Sequence, residues 1–596
     1  MIRTLLPVRL FWHVSRRRRL QFVLLLGLTF VSSIAEMISL GAVVPFIGVL
    51  TQPAKIFTIR AVASGARMLG VTTAAGLVVP LSIAFAVAAV VAGALRLLLL
   101  WAGIRLGNAT GADLSIEAYR RTLYQPYRVH VARSSSEIIS GITQKVSTAT
   151  NVLVSLVAVI TSVILFCAII GTLLAIDPTI ATISFVSFGI AYGCMAIQTR
   201  QRLRRNGECI AREQTQVVKA LQEGLGAIRD VLLDGTQGVY SNVYRKAVVQ
   251  LERANGENAY INQAPRYVTE TLGIALVAAL AVVLAKRPGG IGAGLPILGA
   301  LALGAQRLLP LMQQLYGNWS VVAGSRASLV DVLSLLDQPL PASATSGQEI
   351  APLDFRESIQ FDNVGFRYSM DGPAVLHGLN FTIKKGSRVG FVGRTGSGKS
   401  TALDLLMSLL DPTEGRVLVD GQPVDEALRA SWQRAVAHVP QSIYLADASI
   451  AENIAFGIPP EAVDIGRVKQ AARDAQIAEF IESRPEGYSA RVGERGVRLS
   501  GGQRQRIGIA RALYKQASVL IFDEATSALD SATETAVMKA LQRLSRDVTV
   551  LIIAHRLTTL QHCDTILRLE GGALVAESSY MELMRDHRLV HDLANA

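Results

Sequence analysis

The chain has 596 residues, a formal net charge of +13 and a mean hydropathy of +0.36. This length suits about four domains of about 150 residues and excludes a single small module. Only 18% of the residues are charged, against about 25% in ordinary soluble proteins, so part of the chain is too apolar for a water-exposed surface. The four scattered cysteines lack metal or disulfide spacing and are expected to be free thiols: Cys167, Cys194, Cys209 and Cys563.

Long apolar runs occur only in the first 335 residues, and six of them approach the roughly 20 residues that a helix needs to cross hydrocarbon. The predicted spans are 20–49, 77–104, 151–176, 178–198, 268–286 and 291–313. A signal or transit peptide is the competing interpretation of the first run, but that run is long, lacks a clear cleavage site and is followed by five more. The sequence therefore predicts an N-terminal all-α membrane domain of six transmembrane helices over residues 1–335.

Basic residues indicate how these spans are oriented. Arginines cluster before the first span, between the second and third, and after the fourth, at 16–19, 120–133 and 200–205. Because Lys and Arg favour the cytoplasmic side of short loops, both termini are predicted to be cytoplasmic. The connections 105–150 and 199–267 carry helical patterns, so the helices are expected to extend into the cytoplasm.

A composition shift marks the end of the membrane domain. Residues 336–355 are rich in Pro, Ser, Ala and Thr and are predicted to be a linker. A second domain, of α/β type, is then predicted over 356–596. Within it, the sequence GFVGRTGSGKST at 390–401 lies between a strand-like and a helix-like run, the context in which a phosphate-binding loop is expected.

The residue types of this loop suit a nucleotide. Glycines let backbone N–H groups approach phosphate oxygens, Lys399 neutralises the β and γ phosphates, and Ser400 offers a hydroxyl to Mg²⁺. A chance glycine-rich loop is the alternative interpretation. The predicted ATP-binding residues here are Gly393, Gly396, Gly398, Lys399, Ser400 and Thr401.

Two further strands end in residues that suit hydrolysis. In the run SVLIFDEATSALD at 518–530, the apolar strand ends in two acids, Asp523 and Glu524. Asp523 is placed to bind Mg²⁺ and Glu524 to polarise the attacking water. The run VTVLIIAHR at 548–556 ends near His555, which is positioned to donate a hydrogen bond to the γ-phosphate. An isolated histidine at a strand end is more often structural, but the accompanying motifs favour a catalytic role.

Between these runs lies LSGGQRQR at 499–506, and with it residues from about 358 to 596 resemble the nucleotide-binding domain of ABC transporters. The resemblance implies that Tyr368 stacks on adenine, that Gln441 touches Mg²⁺, and that Asp530 lies in the loop joining two such domains. It also implies that a signature segment reaches the γ-phosphate bound by a second subunit: Leu499, Ser500, Gly501, Gly502 and Gln503. The implied Mg²⁺ ligands are Ser400, Gln441 and Asp523.

Six spans followed by one such domain resemble the half-transporters of ABC exporters with the type IV fold, and VGERG at 492–496 resembles a loop of exporter-type members. One phosphate loop and one signature per chain imply a homodimer, or a heterodimer with a similar chain. Intact Glu524 and His555 imply two equal hydrolytic sites using ATP and Mg²⁺. Coupling helices are expected near 125–130 and 234–242, in a protein of the bacterial inner membrane.

Charged residues inside the spans bear on the cargo, because a charge near mid-membrane costs at least about 2.5–3.5 kcal/mol on insertion scales. The candidates are Glu36, Arg96, Arg266 and Arg307. Three arginines on different spans suit a cavity for an anionic group. One alternative is that Glu36 pairs with one of these arginines. Another is that Arg266 only extends to the interface while Arg96 and Arg307 form internal ion pairs.

The segments 34–47 and 306–312 resemble those of PglK-like lipid-linked oligosaccharide flippases. This resemblance implies a cargo with a polyprenyl tail, a pyrophosphate and a glycan, moved from the cytoplasmic to the outer leaflet among the membrane lipids. Lipid A, a peptide or a hydrophobic drug are alternative cargoes. A DNA-associated ATPase, for which the positive charge would serve phosphate binding, and an ATP-gated channel are disfavoured, so no nucleic-acid partner is expected.

Overall fold

The computed structural model describes residues 6–42, 46, 49, 76, 78–176, 178–285, 308–341, 350–369, 371–525, 530–543, 545–554 and 557–585. The chain divides into two compact units. The first unit comprises 1–125 and 129–340, and the second comprises 126–128 and 341–596. The division after residue 340 falls inside the segment 336–355 that the sequence predicts as a linker.

The regular elements of the first unit are all helices within its described residues. They are α1 (Leu6–His13), α2 (Arg16–Gly41), α3 (Val78–Leu123), α4 (Tyr127–Ala132, partly in the second unit), α5 (Ser135–Ser140), α6 (Val146–Ile176), α7 (Pro178–Gly226), α8 (Ile228–Leu233), α9 (Gln237–Ala285), α10 (Leu308–Gly324) and α11 (Arg326–Leu336). A single π-helical segment, Gly141–Lys145, joins α5 to α6.

Three helical stretches of the described residues are long and apolar enough to cross a membrane: Arg16–Ser39, Val78–Leu123 and Ser135–Gly171. They contain most of the first three predicted spans. Helices α7 and α9 cover the described parts of the fourth and fifth predicted spans. The sixth predicted span, 291–313, is described only from residue 308, where α10 begins, and α10 meets α11 at a bend of 58°.

Helices α7 and α9 are much longer than a bilayer requires. Each has 49 residues, which corresponds to about 74 Å at a rise of 1.5 Å per residue. The hydrocarbon core is about 30 Å thick. In the described residues neither helix is among the stretches apolar enough to cross a membrane, so the fourth and fifth spans stay predictions. Each helix is long enough to extend well beyond a bilayer, as the charged halves of their sequences predict.

Two ion pairs match the antiparallel register of α2 and α3. Arg18 Nε donates to Asp113 at 2.8 Å, and Arg96 Nε donates to Glu36 at 2.9 Å. The two partners on α2 are separated by nearly the same number of residues as the two partners on α3, about 26–27 Å of helix in each case. Both ion pairs are therefore compatible with antiparallel packing of α2 against α3.

Polar contacts fix α11 at its middle and at its end. The ammonium group of Lys145, whose side chain is only 3% exposed, donates to Asp331 at 2.6 Å. Arg121 Nη1 donates to the carbonyl oxygens of Leu336 and Gln338 at 2.7 and 2.8 Å. Because the last carbonyls of a helix have no partner within it, the Arg121 contacts stabilise the end of α11.

Within its described residues, the second unit contains two sheets. The strands are β1 (Ser358–Phe366), β2 (Leu376–Lys384), β3 (Arg388–Val392), β4 (Glu414–Val419), β5 (Gln422–Pro423), β6 (Val436–Val439), β7 (Val519–Asp523), β8 (Thr549–Ile553), β9 (Thr565–Glu570) and β10 (Ala573–Ser578). The larger sheet has the order β10-β9-β3-β8-β7-β6, parallel except for the β9–β10 pair, and the smaller antiparallel sheet has the order β2-β1-β4-β5.

The helices of this unit connect the strands. They are α12 (Lys399–Leu406), α13 (Glu426–Ala435), α14 (Ile450–Ile454), α15 (Ile465–Asp474), α16 (Ala478–Glu482), α17 (Gly501–Lys515), α18 (Ser531–Gln542) and α19 (Tyr580–Arg585). Alternate residues of β8 enter two different cores: Val550 belongs to one cluster and Leu551 to the other. The larger sheet is thus buried on both faces, which explains its continuous apolar strand sequences.

A close helix contact gives a stability prediction. A Cβ atom at Gly207 of α7 would lie 1.9 Å from the carbonyl oxygen of Gly324, whereas a Cβ atom at Gly256 of α9 would meet nothing within 4 Å. We expect Gly207→Ala to cost about 1–3 kcal/mol by forcing the backbones apart. Gly256→Ala is the matched control and should gain up to about 1 kcal/mol from helix propensity.

The measurement is the thermal unfolding of both full-length variants and the wild type in the same detergent. The midpoint should fall for Gly207→Ala and stay or rise for Gly256→Ala. Equal midpoints for the two variants would contradict the close approach of α7 to the end of α10.

Candidate functional site

Four parallel strands of the larger sheet end at one edge, and the predicted site residues follow them. The loop 393–398 follows β3, Gln441 lies two residues after β6, and Glu524 directly follows β7. Since the carboxyl ends of parallel strands meet at the same edge of a sheet, these residues are brought together from distant parts of the sequence.

Two glycines of the loop lie where a side chain would clash with neighbouring atoms. Gly393 has φ 150° and Gly398 has φ 95°. A Cβ atom at Gly393 would lie 2.1 Å from the carbonyl oxygen of Leu569, and one at Gly398 would lie 2.5 Å from Leu376 Cδ2. Gly396 also has a positive φ, 81°, but in open space. The loop is therefore a concave backbone surface of the kind that surrounds a phosphate.

The surroundings of Lys399 suit a bound phosphate. Lys399 is only 6% exposed, and its Nζ donates to the carbonyl oxygens of Gly393 at 2.8 Å and Arg394 at 3.0 Å. Burial lowers the pKa of Lys399, while Glu524 and Asp523 partly oppose that effect. The Ser397 hydroxyl oxygen, also buried, has no hydrogen-bond partner within the described residues. Triphosphate oxygens would supply the ammonium group with charged acceptors and strengthen its charged state.

The first turn of α12 and the nearby aromatic ring extend the site. Ser400 is exposed at the start of α12, where its hydroxyl is available to a cation. The Tyr368 ring is 60% exposed, packs edge-on against Phe366 at 4.9 Å, and places its hydroxyl 3.4 Å from Thr401 Oγ1. An exposed and anchored ring of this kind offers a flat face to a nucleobase.

The acidic end of β7 contains a strained residue. Glu524 has φ 51°, in the left-handed region that favours glycine, and its N–H donates to the Ile553 carbonyl oxygen at 3.2 Å. Gln441 Nε2 donates to Glu524 Oε2 at 2.5 Å. Strain of this kind costs on the order of 1–3 kcal/mol and persists at functional sites where neighbouring contacts impose it.

The oxygen-rich donor set fits Mg²⁺. Asp523 at the end of β7, the Ser400 hydroxyl and the Gln441 side-chain oxygen are hard oxygen donors, and Mg²⁺ ordinarily adds waters and substrate phosphates to one or two carboxylates. When bound, the ion would neutralise charge on the phosphates. His555 follows β8 in sequence but lies outside the described residues.

The signature segment begins a helix. Ser500 caps α17 by accepting a hydrogen bond from the Gln503 N–H at 3.2 Å, and the Gln503 side chain accepts one from the Ser500 N–H at 2.9 Å. Leu499 is buried, and the 15-residue helix presents Gly501 and Gly502 in its first turn. This reciprocal cap leaves N–H groups and the positive end of the helix dipole for an anion.

Asp530 has a capping role in this structure. Its carboxylate accepts hydrogen bonds from the Thr533 N–H at 3.0 Å and from the Thr533 hydroxyl at 2.6 Å, at the start of α18. These two bonds lower the pKa of Asp530. The role that the resemblance implies, between two nucleotide-binding domains, stays a prediction.

Sequence reasoning missed two buried or half-buried carboxylates, of which Asp404 is close to the site residue Asp523. Asp404 lies in α12, where burial, followed by repulsion from Asp523, raises its pKa to about 6. Glu534 of α18 is 6% exposed and accepts a hydrogen bond from the Thr559 hydroxyl at 2.8 Å. Neither residue belongs to a recognisable motif, and only burial reveals them.

The described cargo candidates of the membrane unit lie in two separate ion pairs. Glu36, whose side chain is 3% exposed, accepts from Arg96, which is 42% exposed. Arg266 is 62% exposed and donates to Glu270 one turn away at 2.8 Å. Arg307 lies outside the described residues. The expected joint anion site of three arginines therefore stays a prediction, while the internal pairing expected as its alternative is present for Arg96.

Asp404 gives a pH prediction. A raised carboxyl pKa means that the native state holds the proton after the unfolded chain has lost it, so stability falls as pH rises from the ordinary value near 3.8 to about 6. Asp404→Asn should therefore stabilise the nucleotide-free protein by about 1–2 kcal/mol near pH 7.5, after allowance for partial exposure. The gain should shrink as the pH falls towards about 4.5.

The measurement is thermal unfolding of the full chain across this pH range with EDTA present. Asp371→Asn, in an exposed turn, is the control for removing a carboxylate. A gain from Asp404→Asn that does not change with pH would show that ionisation of this group is not responsible.

Comparison with known proteins agrees with this geometry. The sequence profile of the family described as "ABC transporter" matches residues 376–527. An ATP-dependent lipid A-core flippase of Chromohalobacter salexigens is 33% identical over 473 residues, which cover 79% of this chain and 80% of that protein. An ATM1-type heavy metal exporter of Novosphingobium aromaticivorans is 45% identical over 230 residues, covering 39% and 37% of the two chains.

A solved structure is similar over almost the whole length. The bacterial Atm1-family ABC exporter with ATP bound has a TM-score of 0.76 and 26% sequence identity, covering 97% of both chains. The site accordingly binds ATP with Mg²⁺, and ATP hydrolysis is coupled to transport across a membrane. This chain belongs to the ABC transporter family as an exporter half-transporter, with a helical membrane domain followed by an α/β ATPase domain.

Proposed function

We propose that two copies of this chain form an inner-membrane exporter that uses ATP to move an amphiphile with an anionic headgroup from the cytoplasmic to the outer leaflet. ABC exporters of the Atm1 family function as dimers. Identical copies would give two equal sites, each combining the loop 393–398 of one copy with the helix start at Ser500 of the other. The cytoplasmic position of both termini follows from the arginine clusters.

Glu524 would act as the group that polarises the attacking water. Its strained backbone and its hydrogen bond from Gln441 fix the carboxylate at the carboxyl edge of the sheet, beside Asp523. A carboxylate held in this way can accept a proton from water, whereas a carboxamide cannot. His555 would donate a hydrogen bond to the γ-phosphate.

This role predicts the behaviour of Glu524→Gln. The variant should bind ATP like the wild type, because charge on the phosphates is met by Lys399 and Mg²⁺. Its hydrolysis rate should fall about 100-fold or more, the usual contribution of a positioned base. Glu479→Gln, which alters an exposed carboxylate of α16, is the matched control and should hydrolyse ATP normally.

The measurement is steady-state phosphate release by the detergent-purified protein, together with nucleotide binding at equilibrium. Hydrolysis by Glu524→Gln at the wild-type rate would remove Glu524 from the proposed role.

The single observation that supports the proposal of an anionic cargo is the unequal exposure of the two side chains in the Arg96–Glu36 pair. Glu36 is 3% exposed, whereas Arg96 is 42% exposed. A guanidinium has five N–H donors in a fixed fork and can contact a second anion while it keeps its first partner. A phosphate or pyrophosphate oxygen is the acceptor that matches this fork best.

Two cargo chemistries satisfy this requirement. A polyprenyl-pyrophosphate oligosaccharide, implied by the resemblance of segments 34–47 and 306–312, is the first proposal. The second is a lipid A-type glycolipid, favoured by the name of the relative from Chromohalobacter salexigens, which is similar over 79% of this chain. In both, the charged sugar-bearing head cannot cross hydrocarbon unaided, while the lipid tail need not leave it.

The test is ATP-dependent transfer between leaflets in proteoliposomes, with each labelled glycolipid assayed separately and Glu524→Gln as the inactive reference. Transfer of the pyrophosphate-linked oligosaccharide supports the first cargo, and transfer of lipid A-core alone selects the second. ATP hydrolysis without transfer of either would overturn the anionic glycolipid proposal and leave peptides and hydrophobic drugs.

Variants of the ion pair separate cargo binding from simple structural pairing. Glu36→Gln keeps the Arg96 guanidinium and should still transport. The double variant Glu36→Gln, Arg96→Gln keeps a neutral hydrogen-bonding pair without leaving a buried charge, and its transport should fall about tenfold or more. Wild-type transport by the double variant would assign the pair a structural role only.

A further inference from the structure

A groove of about 290 Å³ lies between α2 and α3, on a different part of these helices from the Arg96–Glu36 pair. Most of its lining is apolar, and two of the lining side chains are largely exposed, Leu24 at 65% and Trp101 at 58%. The polar lining consists of Arg18, Gln21 and Arg105. The groove therefore combines a long apolar surface with two cations.

The two cations differ in their partners. Arg18 is already neutralised by Asp113 at 2.8 Å. Arg105 stands over the Trp101 ring, with 5.2 Å between the guanidinium carbon and the ring centroid, and no carboxylate of the described residues forms an ion pair with it. An exposed guanidinium beside apolar side chains can bind the anionic group of a molecule that also has an apolar part.

The position of Arg105 along α3 indicates where that anion lies. The apolar run 77–104 ends immediately before Arg105, and polar residues follow it. Arg96, which is paired with Glu36, lies nine residues deeper, about 14 Å along the helix. This is about half of the 30 Å hydrocarbon core, so Arg105 lies at the depth of one leaflet's phosphates when the pair lies near mid-membrane.

From these observations we propose that the groove binds an anionic phospholipid of the surrounding bilayer, with its phosphate on Arg105 and an acyl chain along Leu24, Leu28 and Trp101. A guanidinium and a phosphate form a charge-assisted contact that a zwitterionic headgroup matches less well. The aromatic ring beside the cation suits the interface between hydrocarbon and headgroups. The proposal requires only that the chain is embedded in a membrane, and the lipid is not the transported cargo.

The experiment measures lipids retained by the full-length protein in native mass spectra. The protein is first placed in nanodiscs of phosphatidylcholine alone or mixed with phosphatidylglycerol. The wild type should retain phosphatidylglycerol in preference to phosphatidylcholine. Arg105→Gln should weaken that retention about tenfold or more, the effect of losing one charged contact. Arg105→Lys should restore part of it.

Matched variants separate a defined site from general attraction to basic protein. Arg200→Gln removes an exposed arginine that also follows an apolar run, at the end of the predicted span 178–198, but does not line the groove. It should retain phosphatidylglycerol like the wild type. Leu28→Trp should fill the groove and reduce retention of both phospholipids. Bound ATP in each variant verifies folding, because none of these residues lies in the nucleotide site.

Three results would overturn the proposal. The first is equal retention by Arg105→Gln and Arg200→Gln. The second is binding of inorganic phosphate in detergent that depends on Arg105 without any preference for phosphatidylglycerol in nanodiscs, which would indicate a free anion. The third is a cross-link between two copies through Ala102→Cys, with the four native cysteines replaced by serine, which would show that a second copy covers the groove.

Discussion

The parallel alignment of β3, β8, β7 and β6 is the constraint on which the nucleotide site depends. Each strand is buried on both faces and ends at the same edge of the sheet, so the segments that follow them converge although they are far apart in sequence. The glycine loop, Gln441 and Glu524 have no local reason to meet. Their proximity follows from the hydrogen-bond register of the strands, for example Ile521 beside Leu551.

This arrangement places charges where water is scarce. Lys399 is buried, and its ammonium group donates to two backbone carbonyl oxygens. Asp404 keeps its proton to about pH 6 because it is buried and is repelled by Asp523. Both features cost free energy in the nucleotide-free protein, and phosphates beside Lys399 with a divalent cation beside Asp523 would reduce that cost. The free energy of nucleotide binding would thereby depend on how well ordered the loop 393–398 and the strained Glu524 are.

The membrane unit handles its charges differently. Its helices place Glu36 against Arg96, Arg18 against Asp113 and Lys145 against Asp331. Pairing reduces the cost of removing an ion from water, and the matched spacing of the first two pairs aligns α2 with α3. Arg105 is the contrasting case, since its described neighbour is an aromatic ring rather than a carboxylate. Cationic side chains that packing leaves partly exposed, such as Arg105 and the outer part of Arg96, are the positions where lipid or cargo can take part.

The sequence by itself determined the class of this protein. Local patterns were sufficient to predict a membrane domain followed by an ABC ATPase domain. These patterns are the apolar runs, the arginine clusters, the glycine loop and LSGGQ, and the chemistry of each depends on residues close together in the sequence. The same holds for the capping of α17, where Ser500 and Gln503 are three residues apart.

Only the tertiary structure decided the partners of isolated residues. The sequence did not determine that Arg96 meets Glu36 sixty residues away, that Asp404 is buried near Asp523, or that Glu534 receives a hydrogen bond from Thr559. Each outcome depends on how helices and strands pack, and a single ionisable side chain carries no periodic pattern that would reveal its neighbour. The cargo was the least predictable property for the same reason, because it depends on the few side chains that packing leaves exposed.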